Sequence, residues 1–190
     1  MKTGGSTVYL FGGFNSADKV ASGWMDRRLF TAFDNADRTV FEVSAYPDIL
    51  PADKVTPRPD AALFHRADAL RKMTAGLDNG KGEIGRVTVE GVIDDGFVLP
   101  ADAWRNGDQK TLTNTLALAE ADPAGYDALI VQRNRIWLSA IEKALTEKGT
   151  TFVTVGATHL IGPDGLVAQL RAHGYSITRL DSVVRTPAAG

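Results

Sequence analysis

Hydrophobic and polar positions along the chain alternate between short strand-like runs and longer helical stripes. Runs of β-branched and aromatic residues predict strands at 7–11, 39–44, 151–155 and 175–180. Apolar residues three and four positions apart predict helices at 19–36, 61–77, 109–120, 126–145 and 165–172. A shorter helix opens near Pro100 and breaks at Asn106-Gly-Asp108. Strands that alternate with helices in this way indicate an α/β fold.

We expect a single domain over residues 1–190, with a central mixed sheet, flanking helices and the N- and C-terminal strands as neighbours. A chain of 190 residues, 44% of them apolar, buries one sizeable core and is short for two domains. Prolines between 47 and 59 predict a loop, and Asp94-Asp-Gly96 predicts a small hairpin appendage. Residues 47–100 form the variable middle, and 182–190 a frayed tail.

Composition and charge exclude several classes of partner. The formal net charge of −2 favours neither nucleic acid nor an anionic membrane surface. The chain has no cysteine, which excludes disulfides, thiolate catalysis and cysteine-ligated metals. The apolar run near the start is too short for a membrane span or a signal sequence. We therefore expect a soluble protein, cytoplasmic as given, or periplasmic or secreted if a signal segment was removed.

A histidine follows the strand predicted at 151–155. Gly156 ends that strand, His159 comes three residues later, and Gly162-Pro-Asp164 predicts the start of a helix. In open α/β sheets, such strand-to-helix loops lie at the carboxyl ends of the strands, where ligands bind. A histidine in this position is also often a purely structural residue.

Two polar residues interrupt an apolar helical stripe at its middle. Arg133 lies on one row of the helix predicted at 126–145, and Asn134 lies on the neighbouring row. A guanidinium on this stripe needs a carboxylate or a ligand, and Glu42, in the strand predicted at 39–44, is the candidate partner. The alternatives are a buried ion pair without chemistry and an edge strand with Glu42 in solvent.

The two ends of the chain repeat one local pattern. Val8-Tyr-Leu-Phe-Gly12-Gly-Phe-Asn15 and Phe152-Val-Thr-Val-Gly156-Ala-Thr-His159 each have a strand, a glycine, two residues and a polar side chain. Two such loops at the carboxyl ends of parallel strands predict one shared cleft.

These motifs resemble those of the TraB/GumN family, which includes PrgY-type pheromone-shutdown proteins and the Tiki proteases. The resemblance is strongest over 126–180, where Ile130-Val-Gln-Arg-Asn-Arg-Ile-Trp137 resembles the family's Arg-Asn helix. The run from Thr151 to Leu166 resembles its C-terminal G-x-x-H element, and residues 8–43 match more weakly.

The resemblance implies an α/β fold with a cleft that holds two histidines, a glutamate and an arginine. In the Tiki branch it implies proteolysis that depends on a divalent metal. The corresponding catalytic residues here are His159, Glu42 and Arg133. The resemblance further implies His159 and Glu42 as ligands of a divalent metal (Mn, Co or Zn), and we expect Asn15, Asn134, Gly12 and Gly156 to be binding residues.

The first motif departs from the family pattern. It reads Gly12-Gly-Phe-Asn15, so an asparagine stands where the family has its first histidine. An amide oxygen is a poor zinc ligand and cannot act as a general base. This departure favours a degenerate, non-catalytic cleft that binds a peptide or small ligand. The alternatives are a metal-dependent peptidase or esterase that uses His159 and Glu42, and a structural domain with a core ion pair between Glu42 and Arg133.

Overall fold

The computed structural model describes residues 2–3, 5–14, 26–42, 59–78 and 99–180. These residues form an α/β fold around one five-stranded sheet. The strands are β1 (Lys2–Thr3), β2 (Ser6–Gly13), β3 (Arg38–Phe41), β4 (Met73–Gly76) and β5 (Gly149–Gly156). Their order across the sheet is β1-β2-β5-β3-β4.

The sheet is mixed, as predicted. Strand β1 runs antiparallel to β2, whereas β2, β5, β3 and β4 are parallel to one another. Strand β5 lies at the centre and pairs with β2 from Ser6 opposite Gly149 to Gly13 opposite Gly156. The strands predicted at 7–11 and 151–155 are therefore neighbours, and their carboxyl ends lie side by side.

Helices flank this sheet. They are α1 (Arg27–Asp34), α2 (Pro59–Ala69), α3 (Ala101–Asn106), α4 (Gln109–Ala119), α5 (Pro123–Tyr126), α6 (Gln132–Thr146) and α7 (Leu166–Ala172). A π-helical turn (Asp127–Val131) joins α5 to α6, and a 3₁₀ turn (Ala157–His159) follows β5.

Alternation along β5 divides the apolar core between two faces. Phe152 packs with Phe33 of α1 and Leu63 of α2, whereas Val153 packs with Trp137 of α6 and belongs to the second cluster. Successive side chains of a strand point to opposite faces, so both faces of this central strand are covered by helices. Residues 151–155 are all buried.

Local polar groups set the helix ends where the sequence predicts them. Gly107, the residue after α3, has φ 64°, a left-handed conformation that glycine adopts without a Cβ clash. The Asp108 side chain then accepts the backbone N–H of Thr111 at the start of α4. The break predicted at Asn106-Gly-Asp108 is therefore present.

The helix predicted at 61–77 is wrong in its second half. Helix α2 ends at Ala69, and Met73–Gly76 form strand β4 instead. Lys72 is anchored before this strand, where its Nζ donates to the carbonyl oxygens of Asp34 and Ala36. The parallel ladder with β3 outweighs a helical apolar stripe in this segment.

Three further sequence predictions need correction. Strand β3 ends at Phe41, so Glu42 lies just beyond the strand and not inside it. The helix predicted to start at 162–164 begins at Leu166. Residues 175–180 form no strand, although Tyr175 and Ile177 still pack against the second core cluster.

Several predicted features lie outside the described residues. They are the first part of the helix predicted at 19–36, the loop between 46 and 58, the hairpin at Asp94-Asp-Gly96 and the tail at 182–190. Within the described ranges, none of the helices has the length and apolar character required to cross a bilayer.

Candidate functional site

Two acidic side chains are brought together where strands β3 and β4 end. The parallel pairing continues past both strands, because the backbone N–H of Leu77 donates to Phe41 and that of Asp78 donates to Glu42, each over 2.8 Å. Glu42 and Asp78 are thus backbone partners on adjacent chain segments. Their side chains project from the carboxyl edge of the sheet, where ligand sites of open α/β folds lie.

The guanidinium of Arg133 lies between these two carboxylates. Its Nη2 donates to Glu42 Oε2 over 3.0 Å and to Asp78 Oδ2 over 2.7 Å. The side chains of Arg133, Glu42 and Asp78 are 12%, 17% and 21% exposed. The three charges are therefore largely removed from water but keep one accessible edge.

The indole of Trp137 packs against the guanidinium of this charged group. Arg133 and Trp137 are four residues apart on α6, and the guanidinium carbon lies 4.4 Å from the indole centroid. The indole Nε1 donates to Asp78 Oδ1 over 2.8 Å. Trp137 therefore fixes both the arginine and one of its carboxylate partners.

His159 also packs against Trp137, with the two ring centroids 4.4 Å apart. Asn134 Nδ2 donates to the carbonyl oxygen of Asp164 over 2.8 Å, so its Oδ1 faces His159 Nδ1, also at 2.8 Å. An amide oxygen only accepts hydrogen bonds, so Nδ1 must carry the proton. His159 Nε2 then presents its lone pair to Arg133 Nη1, 3.4 Å away.

His159 is held in its neutral form. Burial, followed by the positive charge of Arg133, lowers the pKa of the imidazole well below its usual 6.5, and the negative charge of Asp78 only partly opposes this shift. Removing the ring from water penalises its charged form, and the adjacent guanidinium adds repulsion. At neutral pH the ring is a proton acceptor at Nε2 and has no proton to release as an acid.

We refer to Glu42, Asp78, Arg133, Asn134, Trp137 and His159 as the Arg133 cluster. Asn134 is fully buried and His159 is 4% exposed, so the inner part of the cluster is closed to solvent. The outer part consists of Arg133 and its two carboxylates. The side chains of these three residues are 12–21% exposed, so solvent contact in the cluster is confined to its charged groups.

Two glycines shape the backbone next to the cluster. The backbone N–H of Gly156 donates to Glu42 Oε1, which holds the carboxylate against the end of β5. Gly12, one strand away, packs so closely on the 3₁₀ turn that a Cβ would lie 3.0 Å from the Ala157 Cα. Its carbonyl oxygen accepts the indole N–H of Trp104 over 2.8 Å. Both glycines thus fix the turn that carries His159.

A π-helical turn leads directly into the segment that carries the cluster. Residues Asp127–Val131 have this wider winding, and Arg133 and Asn134 follow in the first turn of α6. Such turns often occur next to functional sites. Nearby, the Tyr126 hydroxyl donates to Asp164 Oδ2 over 3.2 Å. Burial, reinforced by Asp164, raises the pKa of Tyr126 to about 12, so the phenol keeps its proton.

The structure brings four of the predicted site residues into one hydrogen-bond network: Glu42, Arg133, Asn134 and His159. Gly12 and Gly156 lie beside it, whereas Asn15 lies outside the described residues. The roles of these residues in binding or catalysis remain predictions. The helix predicted to start at Gly162-Pro-Asp164 does not place its first turn beside His159, because α7 begins at Leu166 and has only seven residues.

Sequence reasoning missed Asp78. The apolar stripe at 61–77 predicted one helix, although its last part is a strand. Asp78 was therefore expected to follow a helix, and a residue in that position is not expected at the edge of a sheet. One local signal was available: Asp78-Asn-Gly80 follows an apolar residue and is typical of a strand end with a turn. Recognition of β4 would have placed a second carboxylate beside Glu42.

The described donor set does not fit a divalent metal. No group of three His, Cys, Asp or Glu side chains arranged to hold an ion occurs in the described ranges. Glu42, Asp78 and His159 all face the Arg133 guanidinium, a fixed positive charge that repels a cation and already engages one lone pair of each side chain.

Comparison with known proteins identifies a family for this part of the chain. The model of the TraB/PrgY/gumN family matches residues 86–179, about half of the sequence. This match confirms the resemblance read from the Arg-Asn helix and the G-x-x-H element, both of which lie within it. No curated protein and no solved structure gives a significant match to the chain.

Proposed function

We propose that this member of the TraB/PrgY/gumN family binds a peptide or small polar ligand at the exposed edge of the Arg133 cluster, without catalysing a reaction there. The observation that carries the proposal is the position of the Arg133 guanidinium. It stands between Glu42 and Asp78 and pairs with both carboxylates, the oxygen ligands that a metal ion would need. A site whose central charge is a protein side chain is suited to recognition and lacks a Lewis acid.

The free hydrogen-bond acceptors at the exposed edge of the Arg133 cluster indicate which ligands it can bind. Each carboxylate oxygen of Glu42 and Asp78 accepts one described hydrogen bond and has a further lone pair. Two carboxylates against one guanidinium, with a neutral His159, give the cluster a formal charge of −1. This balance favours N–H donors, such as the amides or terminal ammonium group of a peptide, over anions.

The alternative is hydrolysis of a peptide or ester bond with His159 as the base. The favouring observation is the neutral imidazole, whose Nε2 holds a lone pair beside an arginine that can stabilise developing negative charge. Against it, the strongly lowered pKa makes the imidazole a weak base, and Nε2 is directed at the guanidinium. The binding proposal therefore has more support.

Binding is tested by NMR on the full chain, with the Trp137 indole N–H as the reporter because it touches Asp78. Triglycine is titrated, with N-acetyl-triglycine amide as the probe that lacks both terminal charges. We expect saturable shifts of the Trp137 signal that are weakened by Asp78→Asn. Asp102→Asn is the matched control, since Asp102 forms an exposed pair with Arg105. Absence of any shift with either peptide would count against the proposal.

Hydrolysis is tested in parallel with peptide and ester substrates in the presence of Mn²⁺, Co²⁺ or Zn²⁺. The comparison uses the native chain, His159→Ala and Asn15→His, which restores the imidazole of the family motif. If the site is degenerate, Asn15→His raises metal affinity, because a second nitrogen ligand is added. Metal-dependent turnover by the native chain that is lost in His159→Ala would overturn the non-catalytic proposal.

A further inference from the structure

A second candidate site lies on the opposite face of the sheet from α6. A cavity of about 350 Å³ opens between α1 and the strands β2 and β5, with Tyr9 and Thr150 on its sheet side. A cavity of a few hundred Å³ is in the range that takes small ligands. None of the residues of the Arg133 cluster lines it.

The charged residues described in the lining of this cavity are all basic. Arg27 and Arg28 of α1 line it, and no carboxylate is among its described lining residues. Arg28 is held by Asp26, which accepts from its Nε over 3.2 Å and from its Nη2 over 2.7 Å. We find no ion pair or side-chain hydrogen bond of Arg27 in the part of the chain that the structure describes. Arg27 therefore supplies a guanidinium whose charge is not compensated by the described residues.

Neutral donors and apolar atoms complete the lining. The phenol of Tyr9, the amide of Asn35 and the hydroxyl of Thr150 have no side-chain partner among the described residues. Ala32 and Leu180 add apolar surface, and Leu180 is 63% exposed at the cavity rim. A guanidinium, neutral donors and an apolar wall match a ligand that has one anionic end and one compact apolar end.

We infer that this cavity binds a small organic anion, namely a phosphate monoester or a carboxylate attached to a compact apolar group. Arg27 makes the charge-assisted contact with the anion, with Arg28 held beside it by Asp26. Tyr9 and Asn35 donate to the remaining oxygens, and Leu180 covers the apolar end. This site does not depend on the proposed function of the Arg133 cluster, because the two share no residue and lie on opposite faces.

The test is titration of the full chain by calorimetry with phenyl phosphate, benzoate, inorganic phosphate and phenol. Phenyl phosphate and benzoate carry the same ring with the two anion types, and phenol lacks the anion. We expect saturable binding of at least one ring-bearing anion that weakens as salt is added. Phenol should not bind, and inorganic phosphate should bind more weakly than phenyl phosphate.

Two variants make the assignment specific. Arg27→Gln should lower the affinity about tenfold or more, because one charged hydrogen-bond partner of the anion is lost. Leu180→Ser should lower the affinity for phenyl phosphate or benzoate and leave the affinity for inorganic phosphate unchanged. Arg135→Gln is the matched control, since Arg135 is another exposed helical arginine without a described ion pair. This variant should bind the ring-bearing anions with the affinity of the native chain.

Three results would overturn the inference. They are no saturable binding of either ring-bearing anion at millimolar concentration, equal affinities of Arg27→Gln and the native chain, or equal losses in Arg27→Gln and Arg135→Gln. The side chain of Arg27 makes no described contact that folding requires, so a folded variant is expected and its circular dichroism spectrum checks this.

Discussion

Arg133 Nη2 donates to Asp78 Oδ2 over 2.7 Å, although 55 positions separate the two residues in the chain. This contact exists because β4 runs parallel to β3 and ends beside Glu42. It turns what would be a single ion pair between Glu42 and Arg133 into a guanidinium shared by two carboxylates. The energetics of the cluster therefore depend on all three charges together.

Removal of the central cation should destabilise the fold. Arg133→Met leaves Glu42 and Asp78 close together without a counter-charge, and we expect a loss of about 2 to 4 kcal/mol, since breaking a buried pair is costly and these groups keep one exposed edge. Chemical denaturation at neutral pH measures the loss. As a control, Arg38→Met breaks a more exposed pair with Glu147 and should cost about 1 kcal/mol or less.

A charge-neutral replacement separates electrostatics from packing at the same site. The triple variant Arg133→Met, Glu42→Gln, Asp78→Asn should be more stable than Arg133→Met alone, because no uncompensated charge remains. If the triple variant is the less stable of the two, the cost of Arg133→Met lies in lost packing on Trp137.

Stability should fall in mild acid because of His159. Its folded-state pKa is lowered by burial and by Arg133, so the unfolded chain takes up a proton that the folded chain does not. This contribution is present in full above the unfolded pKa of about 6.5 and is lost as the pH falls from there towards the lowered folded value. The loss between about pH 7 and pH 5 is at most about 2 kcal/mol.

The pH effect is assigned by comparing two histidine variants in urea unfolding. His159→Asn keeps an N–H for Asn134 and should flatten the dependence of the free energy of unfolding on pH. His65→Asn, which replaces an exposed histidine of α2, should retain the native slope. Equal slopes for the native chain and His159→Asn would show that His159 is not the group responsible.

Asn134 should fix the tautomer of His159. Its side chain accepts from His159 Nδ1 and donates to the carbonyl oxygen of Asp164. Asn134→Leu leaves both partners without their hydrogen bonds in a buried position, at about 1 to 3 kcal/mol for each unsatisfied group. Nitrogen NMR of the imidazole should show a proton on Nδ1 in the native chain and a mixture of tautomers in the variant.

The matched control for this prediction lies on α4. Asn114 is exposed, and Asn114→Leu should leave both the stability and the imidazole spectrum nearly unchanged. A native imidazole with its proton on Nε2 would contradict the hydrogen-bond assignment directly.

Adjacent glycines at the end of β2 should respond differently to alanine. In Gly12→Ala the new Cβ lies 3.0 Å from the Ala157 Cα and 3.2 Å from Leu160 Cδ1, so we expect a loss of about 1 to 3 kcal/mol and a displaced His159 turn. In Gly13→Ala the nearest atom is the Val155 carbonyl oxygen at 3.6 Å, an ordinary contact. Thermal unfolding of both variants should therefore show the larger loss for Gly12→Ala, and a larger loss for Gly13→Ala would contradict this account.

Much of the fold could be predicted because its signals are local. Residues 151–155 form a run of β-branched and aromatic residues, and the break between α3 and α4 contains a glycine that adopts a left-handed conformation. The apolar rows of α6 identified the helix and the polar gap at Arg133 and Asn134. The candidate pairing of Glu42 with Arg133 followed from the cost of an unpaired charge on that row.

Strand β4 and the C-terminal segment could not be read locally. Met73–Gly76 continue the apolar spacing of α2, and only pairing with β3 makes them a strand. Residues 175–180 have strand-like composition, but the structure gives them no partner in the described sheet, so they pack as irregular chain.

The sequence by itself determined the α/β class and the family and made Glu42 a candidate partner of Arg133, since periodicity and short motifs carry that information. The tertiary structure alone decided that Asp78 joins Glu42 and that the guanidinium stands between them and the imidazole. These contacts join segments 55 and 91 positions apart, and they depend on the order and register of strands. Side-chain periodicity specifies which face of a strand is buried, but it does not specify which strand lies beside it.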